Sequence, residues 1–498
     1  MRLSELLSGI ECNINAKNYN VEIENVTTKV DKINSKTLFI IIDGINFDTS
    51  QIIPDILNKC PAAILCDKNW NLPDTTLTVN VKNARLTLAL LCSRINKIDY
   101  SKVKFVAVTG TNGKTSTATM IEKMLIYAGE KVGFIGTGTI RIGEKTFNDL
   151  NYSMTTPDPE LLYPTIKAMI DENCDYIIME VSSHALALGK VSPIFFECAI
   201  FTNLSDDHLD FHKDKDDYYK TKLSLFSMCK HGIFNADDLY SARAMRDAFD
   251  MCDTSSVGIL WEAEAMARDV MFNGFSGTSY IYREKGLMFK AEISIPGYHN
   301  VYNSLLALKC VILLGIRPCI AKDGLKSIKG IDGRFEIIED KITVIRDYAH
   351  TESAFQNILK TVNSIKKPGQ KTFCVFGCGG DRDKSKRPKM GEAAERYSDE
   401  IYLTNDNPRS EDENQIVNDI ISGMKNREKA KTILSRKNAI KSAILSARDG
   451  DIVIILGKGH EKYILDKNGY RSFDEKEIVL SVLKERNTAG AYRNENKA

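Results

Sequence analysis

The chain has 498 residues, 43% of them apolar and 27% charged, the balance of an ordinary globular protein with room for about three domains. With 67 Lys and Arg against 66 Asp and Glu the net charge is +1, which favours neither a nucleic-acid backbone nor a membrane surface as partner. The 12 cysteines form no CxxC pair and no metal-ligand spacing, the usage of reduced, mostly buried thiols in a cytoplasmic protein.

In chain order, MRLSELLSGIECNINAKNYN puts Leu3, Leu6, Leu7 and Ile10 at helical spacing, broken by Ser4, Glu5 and Ser8, unlike a signal peptide. No window reaches the roughly eighteen apolar residues of a membrane span. Residues 1–99 alternate short apolar runs (TLFIII, AAILC, TLTVNV) with the helix-like ARLTLALLCSRI, predicting a small α/β domain. A second α/β unit, 100–332, opens on VKFVAV and carries the strand candidates KVGFIG, DYIIMEV, ECAIFTNL and HGIFNA. Residues 256–296 read as antiparallel strands, and a long helix, NVYNSLLALKCVILLG, is closed by Gly315 and Pro318. The pattern changes at KGIDGRFEIIED, and a third α/β unit, 333–490, runs through KITVIRDYAH, KTFCVFGCGG, EIYLTNDNP and DIVIILGKGH. Each of these strands ends in a polar or glycine-rich loop, the side of an open α/β sheet where ligands bind. The tail 491–498 is expected to be disordered.

The segment VTGTNGKTST (108–117) lies between VKFVAV and the helical ATMIEKMLIYAG. Strand, glycine turn and helix together make a phosphate cradle: backbone N–H groups around Gly110–Gly113 point at phosphate oxygens and the helix adds its positive dipole end. Lys114 would neutralise β/γ-phosphate charge, and Thr115 carries the hydroxyl that usually ligates Mg²⁺. The spacing departs from GxxxxGK[ST], because the first glycine would fall on Val108. A glycine turn can also be purely steric, but Lys-Thr directly after the second glycine favours a nucleotide.

The form TGTNGKT resembles the Mur ligase family of ATP-dependent amide-forming enzymes. Other motifs of that family follow in its order: MEVSSHALALGKV (179–191), TNLSDDHLDFH (202–212), PGYHNVYN (296–303), GRFE (333–336), DYAH (347–350), FGCGGDRDKSKRP (376–388), DNPRSED (406–412) and GKGHE (457–461). The nearest resemblance is to the branch that adds the third residue to UDP-N-acetylmuramoyl-L-alanyl-D-glutamate in peptidoglycan precursor synthesis. The resemblance implies a three-domain architecture, with a central P-loop ATPase-like domain and a C-terminal Rossmann-like domain, acting as a monomer on small-molecule substrates. A substrate carboxylate would attack the γ-phosphate of ATP to give an acyl phosphate, which the amine then displaces. ATP would be held by Gly110, Thr111, Asn112, Gly113, Lys114, Thr115 and Ser116, with Asn300, Arg334 and Asp347. Mg²⁺ would take Thr115, Glu180 and His208, and Lys222 would be carbamylated by CO₂. The local alternatives are a hydrogen-bonded loop histidine at 208 and a solvated helix lysine at 222. The muramoyl-dipeptide would meet Thr155, Thr156, Ser182 and Lys190. DNPR is the form associated with meso-diaminopimelate, which would be held by Arg382, Asp406, Asn407, Pro408, Arg409, Gly457 and Glu461. An arginine pairs bidentately with a distal carboxylate that lysine lacks.

The resemblance thins on the UDP-muramoyl side. Lys29-Val30-Asp31 stands where relatives carry DSR, the stretch at 43–50 is reduced to DGINFDTS, Lys190 replaces an arginine, and Met154 replaces an asparagine common in relatives. Two rival readings follow: a paralogue ligating an amino acid to a different carboxylate, or a non-catalytic nucleotide-binding scaffold. The intact Lys114, Glu180, His208 and Lys222 argue against the scaffold.

Overall fold

The structure is a computed structural model and describes residues 1–16, 19–44, 48–143, 145–147, 154–206 and 211–495. Among these residues there are three large sheets, in chain order, and a small hairpin (Tyr463–Asp466, Gly469–Ser472). The first sheet has parallel strands Asn25–Thr27, Thr37–Ile40, Ala63–Cys66 and Thr78–Val81, with Cys12–Ile14 antiparallel on one edge.

The second sheet is built around Lys104–Thr109, whose parallel neighbours are Tyr176–Glu180 and Phe196–Phe201. Val132–Gly136, Cys229–Asn235, Asp253–Gly258 and Ala265–Phe272 extend the parallel part. Of the residues expected to be antiparallel, Ala265–Phe272, Thr278–Glu284 and Leu287–Ile293 do pair so, whereas 256–258 belong to Asp253–Gly258, which runs parallel to both of its neighbours. The central strands are mostly apolar and buried because helices cover both faces. Lys114–Tyr127 and Tyr298–Leu313 pack on one face around Val106, Val108, Ile121, Leu305 and Leu308. On the other face Ile166 and Tyr163 of Pro159–Asp171 meet Leu88 and Leu91 of Ala84–Ile95, so the first sheet and the central one share an apolar core. A half-buried polar clamp adds to it: the Glu160 carboxylate accepts from Thr27 Oγ1 (2.5 Å), Thr28 N (2.8 Å) and Thr28 Oγ1 (3.1 Å).

The third sheet aligns Thr343–Asp347, Ile452–Leu456, Thr372–Phe376, Glu400–Leu403 and Ala430–Thr432 in parallel, with Glu336–Glu339 antiparallel at the edge. All the loops expected to carry chemistry leave its carboxyl ends. Glu475, wholly buried, accepts from Arg436 Nε at 2.8 Å and lies 3.6 Å from Arg346 Nε. Arg436 then donates to the carbonyls of Asn405 (3.1 Å) and Leu456 (2.8 Å), and Arg346 to that of Gly459 (2.5 Å). One ion-pair network therefore fixes the backbone beside two of the loops.

The expected disordered tail needs correction. The last helix spans Glu475–Glu495, so 491–495 is helical and only 496–498 lies outside the described residues. Val479, Val482 and Leu483 seat its first turns in the core, and extending a helix already nucleated costs far less than starting one. Among the described residues no helix is long and apolar enough to cross a membrane.

Candidate active site

Between Lys104–Thr109 and Lys114–Tyr127 the chain turns on Gly110 (φ +138°) and Gly113 (φ +84°). A Cβ at Gly110 would fall 1.9 Å from Thr202 Oγ1, and one at Gly113 2.4 Å from Asn303 Oδ1, so both glycines are sterically required. The turn is held from outside: Thr111 N donates to Asn203 O (2.9 Å), Asn112 N to Asn203 Oδ1 (3.0 Å), and Thr202 Oγ1 to Asn112 O (2.6 Å). Lys114 Nζ folds over the loop onto the carbonyls of Gly110 (2.9 Å) and Thr111 (2.8 Å).

This loop forms one wall of a cavity of about 710 Å³, a size suited to a cofactor-sized ligand. Thr111, Asn112, Gly113, Lys114, Thr115 and Ser116 line it, and the structure adds Thr155, Glu180, Asn300, Arg334 and Asp347 to the same space. Arg334 crosses from the start of the third unit to donate to Thr115 Oγ1 at 2.8 Å, its guanidinium 4.5 Å over the Tyr348 ring. Asp347 accepts from Phe335 N (2.6 Å) and Ala349 N (2.7 Å); burial pushes its carboxyl up, with nearby Arg334 and these N–H groups opposing. Asn300 is buried and donates to Pro296 O at 2.9 Å. His299 beside it is driven by burial down to about 4 and is neutral. Asn112 joins the two units directly, accepting from Thr351 Oγ1 (3.1 Å) and donating to Ser353 Oγ (3.1 Å). His460 Nε2 lies 2.9 Å from Thr137 O, and burial lowers its pKa to about 3.

Glu180 ends its strand wholly buried, its carboxylate accepting from Thr137 N (3.2 Å) and Thr137 Oγ1 (3.0 Å). Among the described residues no cation pairs with it, and a Cβ on Gly136 would stand 2.3 Å from its Oε1. A buried carboxylate with no basic partner among the described residues, on the cavity wall shared with Thr115, is the kind of hard-oxygen donor that Mg²⁺ takes. His208 lies outside the described residues. Lys222 does not line the cavity. It sits on the helix Lys215–Leu223, whose N-terminus is capped by Asp214 accepting from Asp217 N (2.8 Å). With 1% exposure, its Nζ is 3.1 Å from Gly110 O and 4.6 Å over the Tyr218 ring, so it buttresses the glycine turn from behind.

Thr155, Thr156 and Ser182 gather at the end of the same strand. Thr155 Oγ1 is 3.1 Å from Thr137 Oγ1, and Thr156 Oγ1 donates to Glu180 O (2.9 Å) and accepts from Ser182 N (3.1 Å). Ser182 caps the next helix by accepting from Ala185 N at 3.2 Å. Lys190 is buried and paired with Asp158 at 2.7 Å. On the first sheet Lys29 and Asp31 are exposed beside the short turn Val30–Lys32. Residues 45–47 of DGINFDTS lie outside the described residues.

The remaining candidates form a second group, outside the cavity. Asp406, Asn407 and Pro408 are buried, and Arg409 holds φ +53°, a conformation uncommon in residues other than glycine. Its backbone N–H donates to Leu465 O (3.0 Å) and its guanidinium to Gly380 O (2.8 Å). Among the described residues no carboxylate forms a salt bridge with Arg409. Arg382 is exposed on the adjoining loop, which is zipped to this one by Gly380 N donating to Asn407 O at 2.9 Å. That loop is also tied down by wholly buried Arg387, which donates to Glu411 Oε2 (3.0 Å), Asp419 Oδ2 (2.8 Å) and Gly379 O (3.1 Å). Gly457 (φ +113°) passes so close to Asp406 that a Cβ would be 2.4 Å from Oδ2. Glu461 accepts from Asn407 Nδ2 (3.0 Å) and from the hydroxyl of Tyr348 (3.3 Å), the residue linking this group to the cavity.

Sequence reasoning missed Lys458. It is wholly buried, with Nζ 2.9 Å from Asn407 Oδ1, 3.3 Å from Glu461 Oε2 and 3.6 Å from Asp406 Oδ1. In GKGHE the lysine comes one glycine after an all-apolar strand, and nothing in that spacing shows that it turns inward.

The sequence matches the Mur ligase middle domain over residues 108–311 and the Mur ligase glutamate ligase domain over 333–459. It is 38% identical over 490 residues to UDP-N-acetylmuramoyl-L-alanyl-D-glutamate--2,6-diaminopimelate ligase 1 of Clostridium acetobutylicum, covering 97% of this chain and 100% of that one. The 2,6-diaminopimelate ligase of Clostridioides difficile is 38% identical over 491 residues, with 97% and 99% covered. A solved UDP-N-acetylmuramoyl-L-alanyl-D-glutamate--2,6-diaminopimelate ligase superposes with a TM-score of 0.70 at 26% identity, over 98% of this chain and 99% of that one. MurF ligase from Thermotoga maritima in complex with ADP shares the fold, at a TM-score of 0.62 and 16% identity over 95% and 99% of the chains. The chain belongs to the Mur ligase family.

Proposed function

We propose that this chain joins meso-2,6-diaminopimelate to UDP-N-acetylmuramoyl-L-alanyl-D-glutamate at the expense of ATP, releasing ADP and phosphate, in peptidoglycan precursor synthesis. It is an ATP-dependent ligase of the Mur family, and its relatives of like length carry that activity in their names. The reading rests on one observation above the rest. The glycine turn, Thr115 and Glu180 share a cavity with Tyr348, whose hydroxyl bonds Glu461 of the second group. An activated carboxylate and an incoming amine can therefore meet between the two.

In this reading the turn 110–116, through N–H groups other than those of Thr111 and Asn112, and Lys114 hold the β- and γ-phosphates, and Arg334, Asn300 and Asp347 border the rest of the nucleotide. Thr115, Glu180 and His208 would hold Mg²⁺, which would supply charge neutralisation at the transferring phosphoryl group. Lys222, as its carbamate, turns a cation behind the turn into an anionic orienting group. Thr155, Thr156, Ser182 and Lys190 place the dipeptide so that its D-Glu side-chain carboxylate faces the γ-phosphate. Phosphoryl transfer gives the acyl phosphate and ADP; attack by the amine gives the amide, phosphate and a proton. Arg409, with Arg382, pairs with the distal carboxylate of diaminopimelate, and Asp406, Asn407 and Glu461 accept from its ammonium, between the constraints of Pro408 and Gly457. The units 1–99, 100–332 and 333–490 serve the UDP end, the nucleotide and the amine respectively. The enzyme works as a monomer in the cytoplasm.

The test is phosphate release from ATP with each substrate added or withheld. Release should require the UDP-muramoyl dipeptide and diaminopimelate together. Release that ignores the dipeptide but responds to another carboxylate would replace this reading with the paralogue.

A further inference from the structure

Asp406 and Glu461 both face Lys458, the one with 9% and the other with 14% of its side chain exposed. Two carboxylates so close together and so far from water do not both stay ionised unaided, because burial and mutual repulsion each favour a proton. Lys458 supplies the missing charge from a wholly buried ammonium within reach of both. It also fixes the Asn407 amide. Oδ1 accepts from Lys458 Nζ (2.9 Å) and Leu465 N (2.9 Å), which leaves Nδ2 to donate to Glu461 Oε2. The three central groups sum to one negative charge, which is complementary to one ammonium.

We propose that Lys458 is a positioning residue for the amine site: it keeps Asp406 and Glu461 ionised together and sets Asn407, so that the cluster carries a single negative charge for the substrate ammonium. This deepens the proposed function and rests on it for the identity of the amine. Lys458 itself touches no substrate in this arrangement; it acts through its three neighbours. Other groups facing the cluster are Arg409, Arg436 and His350, which bear on Asp406, the hydroxyl of Tyr348 on Glu461, and the Tyr463 ring 5.6 Å from Lys458 Nζ. Burial pushes Glu461 up against the pull of Lys458, whereas the surrounding cations hold Asp406 below the usual carboxylate range, so a proton entering the cluster goes to Glu461.

The experiment compares wild type with Lys458→Met and Lys458→Met/Glu461→Gln. In Lys458→Met the KM for diaminopimelate should rise about tenfold or more, with the KM values for ATP and the UDP-dipeptide unchanged. That KM should fall again as pH rises and the extra proton leaves. An infrared difference spectrum between neutral and alkaline pH should show a carboxylic-acid carbonyl band in Lys458→Met and none in wild type. The double variant, in which no second buried carboxylate has to take up a proton, should melt higher than Lys458→Met even if the single variant folds poorly. An unchanged amine KM, an equal rise in all three KM values, no infrared band, or no melting recovery would each overturn the proposal. If wild type does not use diaminopimelate at all, the function reading fails, and the infrared and melting arms still decide the role of Lys458.

Discussion

At the glycine turn after Lys104–Thr109 the cavity wall is the turn itself with one lysine, and its placement comes from two glycines whose Cβ atoms would collide with neighbours. At the ends of Glu400–Leu403 and Ile452–Leu456 the groups are carboxylates, an amide and an ammonium, placed by one another and by buried arginines beneath. A backbone cradle depends on shape and tolerates varied side chains around it. A side-chain cluster depends on its total charge, so removing any member changes the protonation of the others. The first arrangement suits a constant, highly charged ligand, and the second a choice among amines.

The largest effect should come from the cradle. Lys114→Ala should lower ATP-dependent phosphate release by about a thousandfold or more, because it removes charge neutralisation at the transferring group. The melting temperature should stay near that of wild type. Turnover near wild type would sink the ATP-ligase reading and the comparison with it. Lys222→Ala comes next, with an expected loss of about a hundredfold or more. Added small carboxylates should restore part of it if the residue works as a carbamate. A fully active variant would leave Lys222 as packing against Tyr218 and the Gly110 carbonyl.

The same contrast governs what the sequence discloses. The three α/β units, the antiparallel stretch after residue 256 and the glycine turn follow from apolar runs and glycine positions, which are local properties. The motifs then named Thr115, Glu180 and Arg334, and the structure places them around one cavity. Lys458 was not legible as part of a site, because its meaning lies in Asp406 and Glu461, carboxylates brought to it from a different strand end and from the next turn. Arg436, Arg346 and Glu475 were missed for the same reason: buried ion pairs between distant elements leave no periodicity. The helical residues 491–495 were misread because a polar, glycine-containing tail gives no sign that a helix entering it is already anchored.

Amine choice is where the side-chain cluster can be tested directly. Losing one side of a buried, charge-assisted pair costs about 2–5 kcal/mol when the other is left desolvated. Wild type should therefore use diaminopimelate better than L-lysine by roughly two orders of magnitude or more. Arg409→Ala should erase most of that difference by losing diaminopimelate activity rather than gaining lysine activity. Equal use of the two amines by wild type would remove Arg409 from the specificity role.

The smallest effect concerns the ion pairs under the amine loops, and it is read as stability against pH. The Glu411 carboxyl is held at about 2 rather than 4.5, chiefly by hydrogen bonds from Arg387. Its folded-state value is depressed, so its contribution is full above the ordinary carboxylate value and disappears as pH falls from 4.5 towards 2. At Asp419 burial opposes ionisation, but the hydrogen bonds from Arg387 and Gln415 together with the nearby charges of Arg387 and Lys384 outweigh it and keep that carboxyl low as well. On the central sheet Glu292, bonded by Lys326 and Lys290, is also held at about 2, so Glu411 accounts for only part of the acid limb. Glu411→Gln should cost about 1–2 kcal/mol at neutral pH, where the charge-assisted bonds to Arg387 are lost. Asp419 and the Gly379 carbonyl remain as partners of that guanidinium, which keeps the loss modest. As wild-type Glu411 takes up its proton, the two proteins become alike, and the gap between their melting curves should close across the window from 4.5 to about 2. A gap that stays constant through that window would mean that Glu411 acts by packing, and that charge balance does not hold the amine loops in place.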